Sequence, residues 1–189
     1  TGLSSINTEI IPKQLEMLLR VAPKLSRVAV LVHPVNSTHA SALKNVRAAA
    51  QRVKVTILPV EARSTAEIEQ AFAAITREKA GAVIVVADPL FNQQARQIAE
   101  LAAKARLATI ATFRESAEAG ILMSYGTSTT VLFQRAATYV DKIFKGTKPG
   151  DLPIEMPTKF ELFINGKTAK ALGLKIPYSL QIMVDKVIE

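Results

Sequence analysis

Eight side chains that could bind a small molecule each follow a short apolar run of the chain: Asn36, Ser37, Thr38, Asp88, Phe91, Arg114, Ser124 and Tyr125. Together they suit a zwitterion with an apolar side chain. A carboxylate such as Asp88 attracts an ammonium group, and the Ser37 hydroxyl with helix N–H groups binds a carboxylate. Phe91 or Tyr125 can pack against a ring. The combination predicts a binding site rather than a reaction centre.

Each of these residues also has a purely structural explanation. Asn, Ser and Thr are preferred N-cap residues, so residues 36–38 could simply begin a helix. Asp88 precedes a proline and could cap or turn the chain. Phe91 fits a core equally well, and Arg114 with the two glutamates that follow it fits a surface ion-pair cluster. Both interpretations stay open at this point.

The elements that must position these side chains alternate between strand and helix. Apolar runs predict strands near residues 28–32, 54–60, 82–87, 108–111 and 120–125. Between them, amphipathic or Ala-rich stretches predict helices at 39–52, from a Ser64 cap to Ile75, at 92–106, and a helical turn at 114–119. This alternation predicts a doubly wound α/β fold with a parallel sheet flanked by helices, whose loops gather beyond the carboxyl ends of the strands.

The sequence of the last third of the chain, from about residue 129, predicts a different set of elements. A long helix is expected from about Thr129 to Lys145, ended by Gly146. Residues 147–157 contain three prolines and no periodicity, which predicts an extended surface connection. Residues 158–164 alternate polar and apolar and predict an edge strand. An Asn165-capped helix to Leu172 and a closing segment that starts at Pro177 complete the prediction.

Composition excludes several classes of function. The 189 residues, 49% of them hydrophobic, are enough for one domain with a core. Lys and Arg are never adjacent, which argues against a nucleic-acid partner despite the net charge of +8. The chain has no Cys, and His33 and His39 lack a carboxylate-rich neighbourhood, so no metal is expected. Without a glycine-rich phosphate loop or a nucleophile motif, no cofactor and no enzyme activity are expected either.

Several segments together resemble one known family. They are Thr1-Gly-Leu-Ser, Asp88-Pro-Leu-Phe, Leu122-Met-Ser-Tyr-Gly, the stretch Arg135 to Gly146, Lys148-Pro-Gly-Asp-Leu-Pro-Ile-Glu-Met-Pro and Ile164-Asn-Gly-Lys-Thr-Ala-Lys-Ala-Leu-Gly. These segments are similar to the C-terminal portion of ABC-transporter substrate-binding proteins whose best-understood members bind tryptophan and related aromatic amino acids. The resemblance covers nearly the whole chain.

The resemblance implies that residues 1–189 form the second lobe of a two-lobed receptor of the type 1 periplasmic-binding-protein fold. It implies a periplasmic or other extracytoplasmic location, an ABC permease as partner, and a solute bound between the lobes. Three crossovers between lobes are expected at Thr1–Leu3, Ser124–Gly126 and Pro153–Pro157, the last within the connection 147–157.

The helix within residues 127–146 would pack on the first lobe or on a neighbouring chain, so this chain is expected to self-associate. The alternative is an enzyme or a regulatory domain on the same scaffold, for which Asp88 is the only plausible general base.

Overall fold

A computed structural model describes all residues from 1 to 189. The strands are β1 (Gly2–Leu3), β2 (Arg27–Val32), β3 (Thr56–Glu61), β4 (Ala82–Val85), β5 (Ala108–Ala111), β6 (Met123–Thr127), β7 (Ile154–Glu155), β8 (Phe160–Asn165) and β9 (Lys186–Ile188). The helices are α1 (Ile11–Val21), α2 (Thr38–Arg52), α3 (Thr65–Arg77), α4 (Pro89–Gln93), α5 (Ala95–Lys104), α6 (Arg114–Glu118), α7 (Thr129–Phe144), α8 (Gly166–Leu172) and α9 (Tyr178–Gln181). None of these helices combines the length and the hydropathy needed to cross a lipid bilayer.

Seven strands form the main sheet in the order β3-β2-β4-β5-β6-β8-β9. All neighbours are parallel except β6 and β8, which are antiparallel. The predicted doubly wound α/β fold is therefore confirmed. The chain changes direction along the sheet at β2, so the loops after β2 and β4 lie at the switch point where such folds open a crevice.

Helices cover both faces of the sheet, which explains why the central strands read as continuous apolar runs. Along β2 the side chains of Val28, Val30 and Val32 pack beneath α1 and α2, in a core cluster of 23 buried residues. Ala29 and Leu31 point to the opposite face, where α3, α4 and α5 form a cluster of 18. The sheet is thus packed on both faces, and the loops extend from its two ends.

Three details differ from the sequence prediction. The prediction of an edge strand at residues 158–164 is wrong, because β8 pairs with β6 on one side and with the short strand β9 on the other. The single helix expected at 92–106 is two helices, since Gln94 leaves the helical backbone (φ −98°, ψ 18°). Helix α1 was not predicted, although Ile11, Leu15 and Leu18 follow helical spacing and Pro12 lies in its first turn.

A second, two-stranded sheet lies outside the main one. In it β1 and β7 are parallel, with Gly2 opposite Ile154, and α7 packs against β1. Arg135 of α7 makes a bidentate ion pair with Glu155, at 2.5 and 2.6 Å, and that pair lowers the pKa of Glu155 to about 2. The Tyr139 hydroxyl donates to Pro153 O at 3.1 Å. The expected extended connection 147–157 thus contains β7 and a single 3₁₀ turn.

Candidate functional site

The carboxyl edge of the main sheet carries all eight predicted site residues, but the structure separates them into two groups. Asn36, Ser37, Thr38, Asp88 and Phe91 follow β2 and β4. Arg114 begins α6 after β5, and Ser124 and Tyr125 lie within β6. The two groups are neighbours along the edge because β4 pairs with β5.

In the first group, the side chains of Asp88 and Asn36 form hydrogen bonds with each other and with backbone N–H groups. Asp88 caps α4, since its Oδ1 accepts from Leu90 N at 2.9 Å, and its Oδ2 accepts from Asn36 Nδ2 at 2.9 Å. Asn36 Oδ1 in turn accepts from the Thr38 amide and hydroxyl, at 3.2 and 2.7 Å. These bonds join the loop after β2 to the loop after β4. Ser37, the exposed N-cap residue of α2, makes no side-chain capping bond.

Two histidines and Phe91 pack beneath these loops. His39 is buried, its Nδ1 accepts from His33 N at 2.8 Å, and its Nε2 lies 3.2 Å from Ala87 O. Because Nδ1 accepts, the proton of neutral His39 must be on Nε2, which donates to that carbonyl. Both imidazoles contact the Phe91 ring, with centroids 6.4 Å apart in each case. Phe91 is only 1% exposed and is part of the core, so it offers no surface to a ligand here.

The unfolding free energy should therefore fall as the pH is lowered through the ordinary histidine range. Burial lowers the pKa of His39, the hydrogen bond to Ala87 O and the charge of Asp88 oppose this shift, and His33 adds to it. The unfolded chain then takes up a proton near pH 6.5 that the folded chain accepts only at lower pH, so acid favours unfolding, by at most about 1.4 kcal/mol per pH unit. Urea titrations at pH 7.5, 6.5 and 5.5 measure this slope. His39→Gln should flatten it, and an unchanged slope in that variant would contradict the assignment.

Of the second group only Arg114 borders a polar cavity of about 230 Å³, which is formed by the ends of β5 and β6, the first turns of α6 and α7, and β8. Five hydroxyls line it: Thr112, Thr127, Ser128, Thr129 and Thr130. Its charged groups are Arg114, Glu115 and Glu161. The antiparallel partner β8 contributes Glu161 and Phe163, which the sequence analysis did not include. The cavity therefore offers both signs of charge within a small volume.

Two buried hydroxyls on β6 have no hydrogen-bond partner: Ser124 Oγ and Thr127 Oγ1. Buried polar atoms are nearly always paired, so such atoms point to a missing partner. Thr127 lines the cavity and is 4% exposed. It directly precedes Ser128, the N-cap residue of α7, whose first N–H groups have no partner within the helix. This wall of the cavity is suited to an anion.

Of the other two predicted residues of this group, Arg114 lies at the cavity and Tyr125 does not. Arg114 lines the cavity, pairs with Glu118 (Nε to Oε1, 2.7 Å) and lies over the Phe163 ring at 5.3 Å. Tyr125 does not line the polar cavity. Its ring instead stacks on the Phe160 ring, with the two centroids 5.8 Å apart. Burial, and to a lesser degree the charge of Glu16, raises the pKa of Tyr125.

One residue that the sequence analysis missed holds the ends of β5 and β6 in place. Gln14 of α1 is fully buried, and its Nε2 donates to Tyr125 O at 2.9 Å and lies 3.3 Å from both Ala111 O and Thr112 Oγ1. The ladder between the two strands ends at Ala111, so this amide bridges them where they separate. An amide on the apolar face of a helix is the signal that could have identified it. No three His, Asp or Glu side chains are grouped so that they could hold a metal ion.

Comparisons with known proteins agree on the family and the fold. The sequence model of the family described as ABC transporter substrate binding protein matches residues 1–188. A conserved domain protein from Vibrio cholerae is similar in structure, with a TM-score of 0.90 and 21% identity over 100% of this chain and 62% of its own. An ABC domain from Streptococcus pneumoniae, solved in complex with L-Trp, has a TM-score of 0.86 and 21% identity over 94% of this chain and 60% of its own.

A more distant structural neighbour binds a different solute. The arabinose-binding protein AraP from Geobacillus stearothermophilus has a TM-score of 0.66 and 13% identity, over 85% of this chain and 61% of its own. No curated protein matches the chain. The chain spans about three fifths of the length of these solved structures, 60–62% in the three cases. At these identities the structural likeness shows the fold alone.

Proposed function

Because the chain belongs to the family of ABC transporter substrate-binding proteins, we propose that it is the solute-binding part of an ABC importer and that its solute is an amino acid with an apolar or aromatic side chain. The observation that carries this choice is the polar cavity at the ends of β5 and β6, which Thr127 lines and beside which the Thr127 hydroxyl is buried without a hydrogen-bond partner. The cavity has the groups that bind both charges of an amino acid.

The carboxylate of the solute is proposed to lie at the start of α7. There the Thr127 hydroxyl, the first N–H groups of the helix and the Arg114 guanidinium favour negative charge. The ammonium group is proposed to lie toward Glu115 and Glu161, the two carboxylates of the same cavity. A neutral sugar has no charged groups to match Arg114 on one side of the cavity and Glu115 and Glu161 on the other, which favours an amino acid over a sugar.

A second cavity, of about 350 Å³, supports an apolar side chain in the solute. It shares Thr127, Ser128 and Val131 with the polar cavity and lies on the other side of the first turn of α7. Apolar groups line it as well: Leu3, Val131, Leu132, Met156 and Pro157. Ligand sites usually combine such an apolar surface with a few well-placed polar groups.

The solute would be enclosed by a first lobe that packs on α7, β1 and β7, at an extracytoplasmic location, with delivery to an ABC permease. Two observations support this arrangement. The neighbouring structures are longer than this chain, which spans 62% of the one from Vibrio cholerae. In addition, α7 exposes an apolar stripe with helical spacing, Phe133, Val140 and Phe144. The crossovers are proposed at Thr1–Leu3, Ser124–Gly126 and Pro153–Pro157.

The chain by itself is expected to self-associate through this stripe, for example by exchange of α7 between two copies. Phe133 is 77% and Phe144 86% exposed, so replacing both by serine should give a monomer in sedimentation velocity at high concentration. The control is Tyr178→Ser with Ile182→Ser, which removes two large exposed side chains, 77% and 68% exposed, from α9 and its C-cap and should leave the oligomer intact. A monomeric unmodified chain at high concentration would contradict the prediction.

The binding proposal is tested with this chain by adding L-tryptophan, L-leucine or L-arabinose at millimolar concentration and following backbone amide signals by NMR. Signals of residues 127–131 should move with an amino acid and stay unchanged with arabinose. Thr127→Val should weaken amino-acid binding about tenfold, because one hydrogen bond to a charged group is lost. It should not lower the unfolding free energy, because that hydroxyl has no partner in the protein.

The matched control is Thr138→Val, the same change on the exposed face of α7, which should leave binding unchanged. A response to arabinose alone, or equal binding by the Thr127→Val variant, would overturn the proposal.

A further inference from the structure

The opposite edge of the main sheet, where β3, β4 and β5 begin, carries a repeated pair of cations. Helices α2, α3 and α5 each end there with the spacing cation-x-cation followed by an apolar residue. We name these six side chains the basic edge: Arg52, Lys54, Arg77, Lys79, Lys104 and Arg106. All six are exposed.

The second cation of each pair occupies a backbone position that favours glycine. Lys54, Lys79 and Arg106 have φ of 57°, 56° and 54°, in the left-handed region. In each case the following amide closes the helix end by a bond to the carbonyl five residues earlier, at 2.9 to 3.2 Å. Glycine is the usual residue at this point of such a cap. The chain therefore places a long cation three times where a side chain is conformationally unfavourable.

The charges of the basic edge are poorly neutralised within the protein. The only carboxylate that pairs with a side chain of the basic edge is Glu78, which lies 4.0 Å from Arg77. Glu78 also pairs with Arg27, at 3.5 Å. Helix carboxyl ends attract cations, which accounts for part of this placement. The strand order β3-β2-β4-β5 spreads the three pairs over about 14 Å, at the usual strand spacing. The result is a row of free positive charge facing away from the candidate solute cavity.

We propose that the basic edge docks this domain on the surface of an anionic phospholipid bilayer. Lys and Arg side chains bind anionic headgroups through their charge while their alkyl stems cover apolar surface. Val53 lies between the first two cations and is 49% exposed, so it can contact the interface. Single-stranded nucleic acid is the less suitable polyanion, because residues 51–56, 76–81 and 103–108 contain no aromatic side chain on which bases could stack.

The test is flotation of this chain with vesicles of phosphatidylglycerol or of phosphatidylcholine at low ionic strength. The chain should float with the anionic vesicles only and should be released by salt. Substitution of Lys54, Lys79 and Arg106 by glycine should reduce partitioning on the order of 100-fold, as each cation near such a surface contributes about fivefold. Glycine fits the left-handed positions, so the thermal midpoint of this variant should not fall.

The control is the triple variant Lys142→Gln, Lys145→Gln and Lys148→Gln, which also removes three positive charges, but from α7 and the segment that follows it. It should retain most of the vesicle binding. No flotation with phosphatidylglycerol, or equal loss in both triple variants, would overturn the proposal. A single-stranded oligonucleotide that binds the basic edge more tightly than the vesicles do would overturn it as well, in favour of a nucleic-acid partner.

Discussion

Replacing Gly126 by alanine is expected to destabilise the fold by about 3 kcal/mol, at the upper end of the usual cost of overpacking. A methyl group at this position would lie 2.7 Å from Thr112 Cγ2 and closer still to Thr112 O. Because that carbonyl belongs to the backbone, relieving the contact requires β5 and β6 to separate, and Gln14 Nε2 opposes this by lying within hydrogen-bond distance of Ala111 O and Tyr125 O. Urea unfolding followed by circular dichroism measures the difference.

Gly150→Ala is the matched control for this substitution. No heavy atom lies within 4 Å of a methyl group placed there, and the backbone of Gly150 is not in the left-handed region. Alanine at 150 should leave the unfolding free energy unchanged or raise it slightly, since it restricts the unfolded chain. A cost below about 1 kcal/mol for Gly126→Ala would mean that β5 and β6 can separate at little expense, contrary to the role given to Gln14.

The fold could be predicted from local patterns because burial on both faces leaves a local signature. Val28 to Val32 is apolar at every position, and Ser64 with Glu67 marks the start of α3 through the cap that the structure shows. In β4 and β5, likewise, every residue is buried. Each of these signals lies within a few residues, so no knowledge of distant contacts was needed.

The candidate site could not be predicted to the same degree because its geometry depends on contacts between distant residues. Asp88 looked free to bind an ammonium group, yet its oxygens are used by Leu90 and by Asn36, 52 residues away. The wall formed by β8 arises from the antiparallel pairing of Glu161 with Gly126. Neither the strand pairing nor the choice of hydrogen-bond partner is encoded in the local spacing of residue types.

The topology explains how a second carboxylate reaches the polar cavity. In the parallel part of the sheet only loops and helix starts meet at the carboxyl edge, and these supply hydroxyls, N–H groups, Arg114 and Glu115. Because β8 runs antiparallel to β6, its first residues come to the same edge and add Glu161. The strand β8 thus strengthens the attraction of this edge for a cation.

L-Tryptophan should bind this chain alone with a dissociation constant in the millimolar range, about 1000-fold weaker than a receptor that has both lobes. Micromolar binding corresponds to about 8 kcal/mol, and a solute enclosed between two lobes divides its contacts between them. Half of that free energy, about 4 kcal/mol, corresponds to millimolar binding. Closure of the lobes adds contacts that exist only in the closed state, so the difference appears only when both are present.

Calorimetry on this chain and on a protein extended by the first lobe of the family measures that difference. Thr127→Val should lower the affinity of both forms by a similar factor, because the hydroxyl belongs to the residues that both forms contain. Micromolar binding by this chain alone would show that its cavity is complete without a partner lobe. The solute would then be held by the rim of a single sheet, as in an enzyme or a regulatory domain of the same fold, and closure between lobes would have no part in binding.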